Sequence, residues 1–205
     1  MTDDKNPLTH PFDIDEINRL IRSRRSIYPP VYTGEVIARE KIELLLENAN
    51  YAPTHKLTQP WRFTVFSGEG LKKLGDFQSE LYRQKSTLAG NFNEKTFETL
   101  KTKPSTASHV IAIGMKRDPR ELLPEIEEIA SVACAVQNIY LTATALGLGG
   151  YWGSGGITYY EEAKPFFGLE PKDKLLGFFY LGIPNGKWHG ANRTPASDKV
   201  SWVGE

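Results

Sequence analysis

Arg24-Arg25-Ser26 groups two guanidinium groups and a hydroxyl. Planar guanidinium groups donate paired hydrogen bonds to phosphate oxygens, and a serine hydroxyl adds another donor. A structural role explains the same residues more cheaply, because cations at a helix C-terminus are favourable by about 0.3–1 kcal/mol. Arg193, in Asn192-Arg193-Thr194-Pro195, reads by default as a surface arginine and by hypothesis as a second phosphate ligand. Gly147 to Gly156 holds glycines at 147, 149, 150, 153, 155 and 156, with Trp152 among them and Ser154 following. Two readings stand level: a helix cap with a tight turn, or backbone N–H groups brought close to a flat ligand with Trp152 as an aromatic wall. The run is no dinucleotide fingerprint, since G-x-G-x-x-G from Gly147 needs glycine where Trp152 stands, and no Lys-Ser/Thr pair follows to make a phosphate loop.

Pro53-Thr54-His55-Lys56 opens a polar loop without glycine, the kind of held segment that carries binding groups more often than its share. Taken singly, His55 and Lys56 read as solvated. Cys134 lies mid-helix among alanines and reads as a small core group rather than a nucleophile. The sequence holds no G-x-S-x-G, no His-Glu-x-x-His and no carboxylate pair with an obvious shared site. If the protein is an enzyme, its side chains supply no evident nucleophile.

The elements that must position these residues follow from periodicity. Ile14, Ile17, Leu20 and Ile21 share one face of a helix over about 12–23, with Asp13 as its cap. A second helix spans about 38–51 and stops before Pro53. One or two surface helices fill 71–103, interrupted near Gly90-Asn91, and the longest helix runs from Pro124-Glu125 to Leu146-Gly147. Its alanines, 130, 133, 135, 143 and 145, permit close helix approach, which places it centrally or in a subunit interface. Strands are written at 61–66, 110–115 and 175–183. The tail from Pro184 holds Trp188 and Trp202 and shows no strong pattern. Helices and strands mix without regular alternation, so the expected class is α+β in a single domain over 1–205.

Composition narrows the function. The 205 residues carry 25 Lys plus Arg against 25 Asp plus Glu, so no net field attracts nucleic acid or an anionic membrane. No apolar run approaches the roughly 20 residues of a membrane span, and Met1 leads into polar residues rather than a secretory leader. Histidines 10, 55, 109 and 189 and one cysteine offer no zinc-type spacing. The expectation is a soluble, cytoplasmic protein without a metal.

In order, Arg24-Arg25-Ser26, Ala52-Pro53-Thr54-His55-Lys56-Leu57-Thr58-Gln59-Pro60-Trp61, the glycine-rich turn and a late Arg-x-Pro resemble the FMN-dependent nitroreductase family, in its small branch with an Ala-Pro-x-His-Lys loop. Gln59-Pro60-Trp61 is the most specific piece. The resemblance implies a nitroreductase-like α+β fold, with a mostly antiparallel central sheet surrounded by helices. It also implies an interlocked homodimer with two FMN sites at its interface, each lined by both subunits. Under it Arg24, Arg25 and Ser26 would hold the FMN phosphate and ribityl chain, with Arg193 as a C-terminal phosphate ligand. Pro53, Thr54 and His55 would reach the flavin from the partner subunit, and Trp152, Gly153 and Ser154 would cover the isoalloxazine. NAD(P)H would pass hydride to FMN, and a nitroaromatic, quinone or similar flat acceptor would then use the same pocket, which gives ping-pong kinetics. No side chain is assigned a catalytic role; Lys56 or a backbone N–H is a candidate for stabilising the reduced ring.

The sequence departs from the family pattern at three positions. Leu57 stands where many members have asparagine, Gly153 where the branch often has arginine, and Ala191 where a lysine often precedes the C-terminal arginine by two residues. Two rival readings remain: an FMN-binding carrier or regulatory module without turnover, and a helical interaction protein whose arginines and glycines are structural.

Overall fold

Two apolar faces on one sheet require two covering layers, and β2 (His109–Met115), buried at every residue, shows that both are present. In the computed structural model, which describes residues 12–186 and 192–204, the sheet has four strands in the order β1-β2-β4-β3. These are β1 (Trp61–Ser67), β2, β3 (Gly149–Gly153) and β4 (Lys174–Gly182), and every pairing is antiparallel. Alternation along β2 and β4 divides the core. Ile111, Ile113, Phe179 and Leu181 point to one face, where α2 (Arg39–Asn50) and α5 (Glu125–Ala145) supply Leu45, Ala49, Val132 and Ile139. Val110, Ala112, Phe178 and Tyr180 point to the other, covered by Leu71, Leu74 and Leu81 of α3 (Glu69–Leu88) and by Phe167. α4 (Glu94–Thr102) packs on α3 so closely that a Cβ on Gly75 would lie 2.1 Å from the Lys101 carbonyl oxygen.

Helix limits match their caps. α1 (Ile14–Ser23) starts where Asp13 Oδ1 accepts from the backbone N–H groups of Asp15 and Glu16. α5 ends at Leu146, with Gly147 in the left-handed region at φ +70°. The α+β expectation and the three expected strands agree with this architecture.

Two expectations are corrected. The glycine-rich run does not simply turn after its cap: Gly149–Gly153 forms the edge strand β3 against β4. Glycine is required there by packing, since a Cβ on Gly150 would come within 2.6 Å of the Phe179 ring and one on Gly149 within 2.8 Å of the Tyr32 ring. Cys134 is exposed rather than buried. α5 buries Val132, Val136 and Ile139 against the sheet, and Cys134 falls on the opposite side with Ala130 and Gln137. His10, Trp188, His189 and Ala191 lie outside the described residues.

Candidate active site

α1 closes with the Arg24 N–H donating to the Leu20 carbonyl at 3.2 Å, and the chain then runs beside the sheet edge. Ser26 forms a parallel bridge with Gly150, and the Ile27 N–H donates to the Gly150 carbonyl at 2.9 Å. This fixes Arg24-Arg25-Ser26 between β3 and the C-terminal half of α5. Arg193 arrives from the C-terminal tail. Arg22, Arg24, Arg25, Ser26, Tyr140 and Arg193 line one open cleft of about 710 Å³, and among the described residues that line it none is acidic. Four guanidinium groups grouped on one cleft make an anion-attracting surface. Arg25 Nη1 donates to the carbonyls of Arg22 and Arg24 at 2.5 and 2.7 Å. The Arg24 guanidinium lies 5.0 Å from the centre of the Tyr140 ring.

Tyr140 joins the cleft to the strand that carries Trp152. Its hydroxyl accepts from the Trp152 backbone N–H at 2.8 Å and lies 3.3 Å from Ser26 Oγ. Its ring packs edge-on against Phe179 at 4.6 Å. The Trp152 indole N–H donates to the Leu176 carbonyl at 3.0 Å, which holds the indole against the α2/α5 side of the core. Gly153 follows half-buried, and Ser154 is exposed. The structure thus brings Arg24, Arg25, Ser26 and Arg193 into one cleft, with Trp152 tied to it through Tyr140. Neither Tyr140 nor Gln137, which also borders the cleft, stood out in the sequence, because one polar-tipped aromatic and one amide on a mostly apolar helix carry no spacing signal.

Pro53, Thr54 and His55 sit elsewhere in the chain. Thr54 Oγ1 accepts from the Gln59 N–H at 3.1 Å and lies 3.2 Å from Thr58 Oγ1. The tight loop holds Lys56, Leu57 and Gln59 at φ of 50°, 54° and 44°. Left-handed backbone at non-glycine residues is held strain of the kind that clusters at functional sites. His55 Nδ1 lies 2.6 Å from Glu127 Oε2 at the start of α5. That helix end is pinned by the buried Glu128, which pairs with Arg117 and accepts from the Asp118 N–H at 2.9 Å. Glu127 and Tyr140 are 13 residues apart on α5, or roughly 20 Å at 1.5 Å per residue. A single chain therefore does not unite the His55 loop with the arginine cleft. Across the sheet from the cleft, Lys103 lies 4.9 and 4.6 Å from the Tyr151 and Tyr180 ring centres, where burial lowers its pKa. Among the described residues no group of three His, Cys, Asp or Glu could hold a metal ion, and no helix is long and apolar enough to cross a membrane.

The sequence profile of the Nitroreductase family matches residues 21–183. The chain belongs to the nitroreductase family. A relative from Escherichia coli K12, YdjA, provisionally named an NAD(P)H nitroreductase, is 33% identical over 171 residues, 83% of this chain and 87% of its own. The crystal structure of a nitroreductase-like family protein from Bacillus cereus superposes with a TM-score of 0.78 at 27% identity, covering 96% of this chain and all of that one. A Desulfovibrio desulfuricans protein, provisionally named a nitroreductase and solved in complex with FMN, reaches 0.69 at 24% identity, over 91% of this chain and 96% of its own. This last likeness establishes the shared fold.

For a nitroreductase-family chain the layout is chemically specific. The arginine and serine donors converge beside Tyr140, whose hydroxyl holds the backbone N–H of Trp152 on the edge strand. None of these side chains is a redox group or an evident nucleophile. What the cleft offers is cation-rich binding beside an aromatic edge.

Proposed function

We propose that this chain is an FMN-dependent oxidoreductase that draws hydride from NAD(P)H and reduces flat acceptors such as nitroaromatics or quinones. The observation that carries the reading is the convergence of Arg24, Arg25, Ser26 and Arg193 on one cleft. That donor set fits a phosphate monoester, which is the feature separating FMN from riboflavin. In this reading the arginines and Ser26 hold the phosphate and ribityl chain, and Trp152, Gly153 and Ser154 border the ring. Bound FMN supplies the two-electron redox chemistry that no side chain here provides.

The reading makes the working unit two copies of the chain. Pro53, Thr54 and His55 then serve the partner's cleft, consistent with their distance from this chain's own. α1 has no buried residue and leaves Ile14, Ile17 and Ile21 exposed, and α5 exposes Ala130, Cys134 and Gln137. Exposed apolar and small residues grouped on two packed helices are the type of surface that a second subunit covers. Lys56, exposed beside His55, would lie near the ring and favour its negative charge when reduced. Among the described residues the sheet is wholly antiparallel, so no switch-point crevice of a doubly wound fold is available for the nicotinamide nucleotide. Donor and acceptor would then use one space in turn, which gives ping-pong kinetics.

Anaerobic mixing of FMN-loaded protein with NADH or NADPH tests the activity. Loss of the flavin's visible absorbance with either donor supports it. Retained absorbance with both would leave an FMN-binding module without turnover. Parallel double-reciprocal lines support the shared pocket, and intersecting lines contradict it.

A further inference from the structure

The Tyr140 hydroxyl sits between two partners of fixed and free polarity. The Trp152 backbone N–H can only donate, so at 2.8 Å it uses a lone pair of the phenol oxygen. The phenol's own proton then needs an acceptor. Ser26 Oγ, at 3.3 Å, is the second oxygen in its bonding arrangement. Tyr140 is 9% exposed, and the hydroxyl of a side chain so far buried normally keeps hydrogen-bond partners within the protein. Once Ser26 Oγ accepts the phenol proton, its own hydrogen is turned away from Tyr140 and toward the arginine-lined cleft that Ser26 borders.

We infer that Tyr140 is a positioning residue: it takes the Trp152 amide, gives its proton to Ser26, and so holds the Ser26 hydroxyl as a donor to an anionic oxygen in the cleft. The inference rests on the phosphate-clamp reading above. One side chain thereby links both ends of the site. The chain of bonds runs from Trp152 N–H through the phenol to Ser26 and out to the phosphate. The ring separately carries Arg24 on its face and packs on Phe179, and phenylalanine would preserve both contacts. Tyr140→Phe therefore isolates the hydroxyl.

The test compares FMN with riboflavin, using protein stripped of flavin and monitoring quenching of flavin fluorescence. Tyr140→Phe should raise the FMN Kd about 5-fold, the loss expected for one hydrogen bond, and the riboflavin Kd by less than about 2-fold. Ser26→Ala should produce the same pattern, and the double variant should be no worse than Ser26→Ala alone within about 2-fold. Equal losses for the two ligands, or losses that multiply in the double variant, overturn the inference. If Arg24→Ala narrows the FMN preference while Tyr140→Phe does not, the clamp stands and the relay falls. If neither narrows it, both fall. A measurement on the unaltered chain is independent of any variant: the Trp152 amide should exchange hydrogen much more slowly than the exposed amides of Ser154 and Gly155. Exchange at the same rate would show that the Tyr140 bond does not form, and would overturn the relay.

Discussion

Arg24→Ala puts a magnitude on the phosphate clamp. Arg24 lines the cleft with Arg22, Arg25 and Arg193, so its removal takes one of the four cations that the described residues place there. A unit charge pair 4 Å apart is worth about 4 kcal/mol at an effective dielectric of 20. A charged hydrogen bond contributes about 1.5–3 kcal/mol net of desolvation, and the three remaining guanidinium groups partly compensate. A loss of about 2–3 kcal/mol follows, or roughly 30- to 150-fold in the FMN Kd. Riboflavin lacks the phosphate. Its affinity should fall by less than about 3-fold, the share expected from losing the support that Arg24 and the Tyr140 ring give each other. The assay is quenching of flavin fluorescence at two salt concentrations, because a charge contact weakens as salt rises. The FMN preference should shrink in the variant, and so should its salt dependence. Equal losses for both ligands at both salt concentrations would refute the clamp and assign Arg24 a structural role.

Three further outcomes follow from other parts of the chain. Glu127→Ala removes the carboxylate that faces His55 Nδ1; nitrogen-detected NMR should show the ring shifting from the Nδ1–H form to a mixture, with stability changed by less than about 1 kcal/mol, and an unchanged tautomer ratio would dismiss the pairing. Gly75→Ala would push a Cβ to 2.1 Å from the Lys101 carbonyl oxygen; overpacking should cost about 1–3 kcal/mol and lower Tm by about 2–4 °C per kcal/mol, whereas an unchanged or raised Tm would mean α3 and α4 separate at no cost. His109 is buried, 2.9 Å from Ser108 Oγ, and burial lowers its pKa from 6.5. The unfolded chain therefore binds that proton more readily, so this stability contribution is complete above pH 6.5 and declines below it, by at most about 1.4 kcal/mol per pH unit; urea midpoints should fall on acidification less steeply in His109→Asn, and equal slopes would remove His109 as the cause.

Local signals made much of this fold legible. Asp13 announces α1 because its carboxylate satisfies two backbone N–H groups within three residues. β1, β2 and β4 are runs of branched and aromatic residues whose covered faces need those shapes. β3 was not legible, because glycine has no side chain to display alternation, and the reasons for glycine there are Tyr32 and Phe179, both distant in sequence. Cys134 failed for a related reason. A helix that is apolar or small nearly all round does not declare which stripe meets the sheet, and α5 presents Val132, Val136 and Ile139 to it.

The site divides along the same line. Arg24-Arg25-Ser26 could be singled out as a local cluster, yet its meeting with Arg193 is a tertiary fact. Tyr140 and Glu127 matter through what they touch. Tyr140 meets Ser26 and the Trp152 amide, and Glu127 meets His55, all across turns of the fold that no spacing rule encodes.

The most direct measurement is sedimentation of the flavin-free chain with added FMN, followed at both protein and flavin wavelengths. The account predicts that FMN travels with a two-chain species at one FMN per chain and that riboflavin is held far more weakly. FMN left unbound, or carried by a single chain as readily as riboflavin, would contradict it.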